Sequence, residues 1–155
     1  MLGANTQSIL KPIQNYGIGS ARYCSGFDAG LISKNKHCFD MPSGMFVVRW
    51  DINKKTQIFK KQLHNSLIGC HIINKSHTMC LTVAFGGGLS LWDTNYNLLD
   101  TVQLSYCMDI RCAAWRRDGA QVCIAGVGYG SAVLCYDVMN SKLKLSWRTC
   151  PPGKL

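Results

Sequence analysis

Three eight-residue segments of this chain share one pattern and recur at a nearly constant interval. They read GMFVVRWD at 44–51, GGGLSLWD at 86–93 and GSAVLCYD at 130–137. Each segment opens with glycine, alternates apolar residues through its middle and closes with an aromatic residue followed by Asp. The aromatic residues are separated by 42 and then 44 residues, which matches the roughly 40 to 45 residues of a four-stranded propeller blade. We therefore expect an array of similar units.

Within each repeat, short apolar runs alternate with turn residues, which is typical of strands at spacings of about ten residues. In the second repeat, strands are predicted at 66–73, 79–85, 89–93 and 98–103. The first repeat predicts strands at 21–28, 37–41, 46–51 and 56–62, with a turn at 42–44. The third predicts strands at 109–115, 121–126, 132–137 and 143–147. The expected organisation is a lead-in at 1–19, blades at 20–63, 64–106 and 107–148, and the start of a further repeat at 149–155.

Composition excludes several classes of protein. Apolar residues make up 47% and charged residues 16% of the chain, which is typical of a globular protein. No segment approaches the roughly 18 apolar residues of a membrane span, and the beginning lacks the basic and apolar regions of a secretory signal. Several of the nine cysteines, such as Cys80, Cys123 and Cys135, lie in apolar runs. We predict buried free thiols in a reducing compartment, either cytoplasm or nucleus.

The net charge of +9 is spread across the repeats. Most of the basic residues fall where turns or exposed strand faces are expected, so solubility alone explains them, while an acidic partner or RNA remains an alternative. The residues concerned are Lys34, Lys36, Lys54, Lys55, Lys60, Lys61, Arg116, Arg117, Lys142 and Lys144.

The aromatic-Asp endings, together with CAAWRRDGAQVCIAGVGYGSAVLCYD at 112–137, resemble the WD-repeat (tryptophan-aspartate repeat) β-propeller family. The resemblance covers roughly 21–147. It implies an all-β fold, namely an incomplete propeller of about three four-stranded blades. It also implies that the protein is a non-catalytic scaffold without cofactors. In this family a His, a Ser or Thr, an Asp and the Trp of one repeat form a buried hydrogen-bonded set. The matching residues here are His64, Thr82 and Trp92.

This chain departs from the family at the Asp of that set. Gly44, Gly86 and Gly130 stand six residues before the aromatic residues, where the family usually has Asp. We therefore expect the hydrogen-bonded set to be truncated or absent. The other shared positions are interpreted as repeat structure, with the tryptophans in the core and the aspartates at strand ends. They are Trp50, Asp51, Asp93, Tyr136 and Asp137.

Motifs that would indicate chemistry are weak. Cys70, His71, His77 and Cys80 are the best metal-ligand candidates, but neighbouring strand residues point to opposite faces and the chain has no CxxC pair. The glycine-rich segment 126–131 lacks the Gly-Lys-Ser/Thr ending of a phosphate-binding loop. Cys38 is adjacent to His37 in sequence, but adjacency alone does not place a thiol and an imidazole for catalysis. We predict no metal, no cofactor and no enzymatic activity.

The expected function is protein binding through loops, which would organise a multiprotein complex. Arg49, Lys54, Lys55, Arg116 and Arg117 are the candidate contacts, because they are charged residues near strand ends. The alternative is an RNA-binding or acidic-surface-binding module, for example in mRNA export or nuclear complexes, with affinity that falls steeply with salt.

Three blades are too few to close a ring, because propellers typically have about four to eight. We expect a fragment of a longer propeller, since the sequence ends within a repeat. Self-association, or completion by blades of a partner, is the alternative.

Overall fold

The computed structural model describes residues 37–104, 109–127 and 131–149. In these ranges the chain forms eleven strands, and every strand pairing is antiparallel. The predicted all-β class is confirmed, and no helix in these ranges is long and apolar enough to cross a membrane. The strands are β1 (Cys38–Ser43), β2 (Phe46–Asp51), β3 (Thr56–Gln62), β4 (Ile68–Ile73), β5 (Met79–Ala84), β6 (Gly88–Asp93), β7 (Leu98–Gln103), β8 (Asp109–Trp115), β9 (Gln121–Val127), β10 (Ser131–Met139) and β11 (Lys142–Thr149).

Strands that follow one another in sequence pair in three separate sheets. Sheet 1 has the order β1-β2-β3, sheet 2 the order β4-β5-β6-β7 and sheet 3 the order β8-β9-β10-β11. Sheets 1 and 2 lie within the predicted ranges 20–63 and 64–106, whereas sheet 3 ends at Thr149, one residue beyond the predicted range 107–148. The strand predicted at 21–28, the lead-in at 1–19 and residues 150–155 lie outside the described residues.

Most predicted strands agree with the structure to within two residues, and the clearest difference lies in β1. The predicted turn at 42–44 is wrong in part, because Pro42 pairs with Val47 inside the sheet. Only Gly44 and Met45 form the turn, where Gly44 has a φ of 64° that favours glycine.

A β-bulge precedes the aromatic residue of every repeat. Such bulges bend a strand and increase its twist, so the three sheets share an irregularity as well as a strand order. Sheets 2 and 3 share a second bulge, where their first and second strands pair. The sequence repeat is therefore a structural repeat. The shared bulges lie between Arg49 and Trp50, Leu91 and Trp92, and Cys135 and Tyr136.

Sheet 2 lies between the other two sheets and is buried on both faces. Because strand side chains alternate, Leu81 and Leu91 belong to the core shared with sheet 3. Cys80 and Trp92 belong to the core shared with sheet 1. Strand β4 packs beside β8, and β7 beside β11, so sheets 2 and 3 stack strand on corresponding strand. This sandwiching explains why β5 and β6 are buried along almost their whole length.

Two cysteines form a disulfide across sheet 3, which corrects the prediction of free thiols. Cys123 and Cys135 lie directly opposite each other on β9 and β10, with 4.3 Å between their Cα atoms. Cys80 is buried and free, as predicted. The compartment expected from the sequence, cytoplasm or nucleus, stays a prediction.

The core between the sheets predicts that two leucines of sheet 2 contribute very differently to the free energy of unfolding. Leu91 is 0% exposed and Leu98 is 53% exposed. Leu91→Ala should lower the free energy of unfolding by about 2–5 kcal/mol, because it leaves a cavity. The matched Leu98→Ala should cost less than about 1 kcal/mol. Urea denaturation followed by circular dichroism measures both, and equal losses would contradict the placement of Leu91.

Candidate functional site

His64, Thr82 and Trp92 form a hydrogen-bonded set inside the repeat. The indole Nε1 of Trp92 donates to Thr82 Oγ1 at 2.7 Å, and His64 Nε2 lies 2.7 Å from the same oxygen. Trp92 is 5% exposed, so its N–H needs this internal acceptor. Because Thr82 already accepts from Trp92, its own proton is available to His64 Nε2. This arrangement suits a neutral His64.

The Asp that the family resemblance would add to this set is glycine in this chain. A Cβ built on Gly88 would stand 3.4 Å from His64 Nδ1, whereas one on Gly86 would meet nothing within 4 Å. Gly88, two residues after the Asp position expected from the sequence, is therefore the glycine that lies beside His64. The set is truncated to three residues.

A second buried polar set joins sheet 1 to sheet 2. Arg49 donates to both carboxylate oxygens of Asp40 at 2.7 and 2.8 Å and to the carbonyl of Thr94 at 2.9 Å. The Tyr96 hydroxyl donates to Asp40 at 3.0 Å and lies 3.0 Å from His71 Nε2. Asp40 is 0% exposed, so its charge depends on these partners.

Arg49 therefore does not have the exposure expected of a partner-binding residue. Its side chain is 18% exposed, and its guanidinium lies 5.6 Å from the Phe59 ring centre and 5.9 Å from that of Tyr96. The hydrogen bond to Asp40 raises the pKa of Arg49 further. These contacts place it in the junction between two sheets.

Tyr96 enters that junction because of the turn between β6 and β7. Its φ of 60° is uncommon for a residue other than glycine. Asp93 stabilises the turn by accepting from the backbone N–H groups of Asn95 and Asn97 at 2.8 Å each. Lys61 adds a contact of 2.6 Å to the Tyr96 carbonyl.

The remaining repeat positions also have local contacts. Asp51 accepts from the backbone N–H of Lys54 at 2.9 Å, which stabilises the β2–β3 turn. Asp137 accepts from Gln121 Nε2 at 2.6 Å, although β10 continues two residues beyond it. Tyr136 is buried in the core between sheets 2 and 3, whereas Trp50 is half-buried.

Alternate turns of the three sheets lie at one end of the stack, and this end is basic. A meander returns every second turn to the same end, and two contacts join neighbouring sheets there. Arg49 donates to the carbonyl of Thr94, and Lys142 lies 3.2 Å from Asp100. Gly119 is also close to Asn74, since a Cβ added to it would lie 3.4 Å from the Asn74 side chain. We call this end the basic turn end. Its exposed cations are Lys54, Lys55, Lys75, Arg116, Arg117 and Lys142.

A cleft of about 310 Å³ opens at the basic turn end, between the β4–β5 and β8–β9 turns. Lys75, Trp115, Arg116 and Arg117 are among its lining residues. Two larger grooves, of about 510 and 460 Å³, have no lysine, arginine, aspartate or glutamate in their lining. Charge therefore distinguishes the cleft from these two grooves. In the described part of the chain, no group of three or more His, Cys, Asp or Glu residues is placed to hold a metal ion.

No protein-family model matches this chain, and no curated protein sequence matches it. The fold recurs among solved structures, of which 779 chains match. One is a Kuenenia stuttgartiensis hydrazine synthase, with 13% sequence identity and a TM-score of 0.64 over 77% of this chain and 35% of that chain. This chain thus spans about a third of the neighbour's length, and the similarity concerns the fold alone. A fold shared this widely does not indicate one function.

Burial of His64 predicts a loss of stability in acid. Burial lowers the pKa of His64 to about 4, below the value of about 6.5 in an unfolded chain. Between these values the unfolded state binds a proton that the folded state does not, so His64 should cost about 1–3 kcal/mol as the pH falls from about 6.5 to 4. Urea denaturation at pH values above and below this window should show a smaller acid loss for His64→Asn. An unchanged pH dependence in the variant would contradict the assignment.

The junction between sheets 1 and 2 predicts that the Tyr96 hydroxyl stabilises the fold. Tyr96→Phe should lower the free energy of unfolding by about 1–3 kcal/mol, because buried Asp40 and His71 each lose a partner. The matched control is Tyr136→Phe, since no hydrogen bond joins the Tyr136 hydroxyl to a described residue. That control should change stability by about 0.5 kcal/mol or less. Thermal unfolding of both variants tests the difference.

Proposed function

We propose that this chain is part of a WD-repeat-type β-propeller and acts as a non-catalytic scaffold for protein partners. The repeated strand order, the bulge before each aromatic residue and the strand-on-strand stacking support the propeller. The His64–Thr82–Trp92 set supports the WD-repeat type. Further blades, from a longer chain or from another molecule, would complete the ring. The exposed Cys112 and the half-exposed Trp147 on sheet 3 are consistent with such an addition.

The functional part of the proposal depends on one observation. Six cations from four separate segments of the chain lie on the basic turn end. Loops held by a rigid scaffold are common positions for binding residues. Three of the cations pair with Asp51, Asp100 and Asp118, and the cations that exceed these carboxylates favour a partner of the opposite sign. An acidic protein surface is therefore the partner that fits this end best.

The same cations are the specific observation that favours RNA as a second candidate. Phosphate contacts would make affinity depend strongly on salt. Proteins that bind single strands usually combine a basic groove with aromatic side chains on which bases stack. The cleft offers Trp115 as its aromatic residue, and that side chain is half-buried. We therefore place a protein partner first.

Removing charge from the basic turn end tests the proposal. The variant combines Lys54→Gln, Lys55→Gln, Arg116→Gln and Arg117→Gln. Fluorescence anisotropy compares its affinity with that of the unchanged protein for a glutamate-rich peptide and for a uridine oligonucleotide. Affinity for the peptide should fall at least about tenfold, because each lost charge-assisted contact weakens binding.

Lys60→Gln is the control, because it removes one positive charge outside the basic turn end. Its ammonium lies 4.4 Å from the Phe46 ring centre, on a strand and outside the basic turn end. This variant should bind the peptide within about twofold of the unchanged protein, since the position is solvent-screened. An unaffected affinity in the four-charge variant would contradict docking at this end. Tighter binding of RNA than of peptide would favour the second candidate.

A further inference from the structure

We infer that the cleft between the β4–β5 and β8–β9 turns receives an anionic side chain, a carboxylate or a phosphate, from an acidic peptide segment of the partner. This inference rests on the proposed docking function and assigns it a position. The cleft volume of about 310 Å³ is near the lower limit of ligand pockets. A side chain and its neighbours therefore fit it better than an extended ligand.

The charges of the cleft are complementary to such a group. Lys75, Arg116 and Arg117 line it, and Asp118 is the carboxylate paired with Arg116 at 2.7 Å. Among described residues, neither Lys75 nor Arg117 has a hydrogen bond or ion pair. The three cations and one carboxylate leave about two positive charges. A phosphate monoester carries about −1.5 to −2 at neutral pH, and two neighbouring carboxylates carry about the same.

The cations project from turns that their own hydrogen bonds hold in place. The guanidinium of Arg116 donates to Asp118 and Gln121 at 2.8 Å each. Across the cleft, Asn74 accepts from the backbone N–H groups of Thr78 and Met79 at 2.9 and 3.0 Å. A site ordered before binding loses less conformational entropy when the ligand arrives.

The floor of the cleft is apolar, which strengthens the attraction between charges at its rim. Ile72 is 3% exposed, and Trp115 is half-buried with its Nε1 donating to the Ile72 carbonyl at 3.4 Å. Charges interact more strongly beside such low-dielectric walls than in bulk water. Trp and Arg are also the residue types that most often dominate binding energy at protein interfaces.

Two double variants with equal loss of charge test the position. Lys75→Gln/Arg117→Gln removes the unpaired cations of the cleft, and Lys54→Gln/Lys55→Gln removes two from the β2–β3 turn at the same end. Anisotropy measures the affinity of the full chain for a glutamate-rich peptide, its phosphoserine version, its glutamine version and a uridine oligonucleotide. Circular dichroism confirms that each variant is folded.

The cleft variant should lose at least about tenfold in affinity for both anionic peptides, and the turn variant less than about threefold. Trp115→Phe should remove a peptide-induced change in tryptophan fluorescence. The two anionic peptides show whether carboxylate or phosphate binds more tightly.

Equal losses in the two double variants would indicate general attraction by the basic turn end. That result would overturn the cleft assignment and leave the proposed function standing. Peptide binding that neither variant reduces would overturn both. Binding of the oligonucleotide without binding of either anionic peptide would also overturn both and favour RNA.

Discussion

The burial of sheet 2 on both faces holds the described structure together. A sheet whose two faces are covered by neighbours removes most of its apolar side chains from water. In sheet 2, Leu91 packs toward sheet 3 and Trp92 toward sheet 1. The basic cleft depends on this stacking, because its two walls belong to different sheets. A change that separated sheets 2 and 3 would remove the cleft without altering any residue that lines it.

One position of the repeat carries a different chemical pair in each sheet. The pair lies directly across the second and third strands of the repeat, one residue before the aromatic residue that the three repeats share. In sheet 1 it is an ion pair, in sheet 2 two leucines, and in sheet 3 a disulfide. A buried ion pair gains little over an apolar pair, and here Tyr96 and Thr94 supply the additional hydrogen bonds. The pairs are Asp40–Arg49, Leu81–Leu91 and Cys123–Cys135.

Much of the strand pattern could be predicted because alternation and turn residues are local signals. The limits of β3, β7 and β8 follow directly from them. The partners of Arg49 could not be predicted, because Asp40 faces it through strand register and Tyr96 comes from another sheet. The disulfide and the position of Gly88 depend in the same way on strand register. A shift of one residue in the pairing would turn each side chain to the opposite face of the sheet.

The basic turn end shows which features follow from the sequence and which follow only from the tertiary structure. The sequence by itself determined the all-β class, the repeat and the placing of Lys54, Lys55, Arg116 and Arg117 near strand ends, since these follow from spacing along the chain. Only the tertiary structure decided that these four residues share one end with Lys75, while Arg49 lies in the junction of two sheets. The physical reason is that packing between sheets brings together residues that are distant in sequence, and no local pattern encodes which side chains then meet.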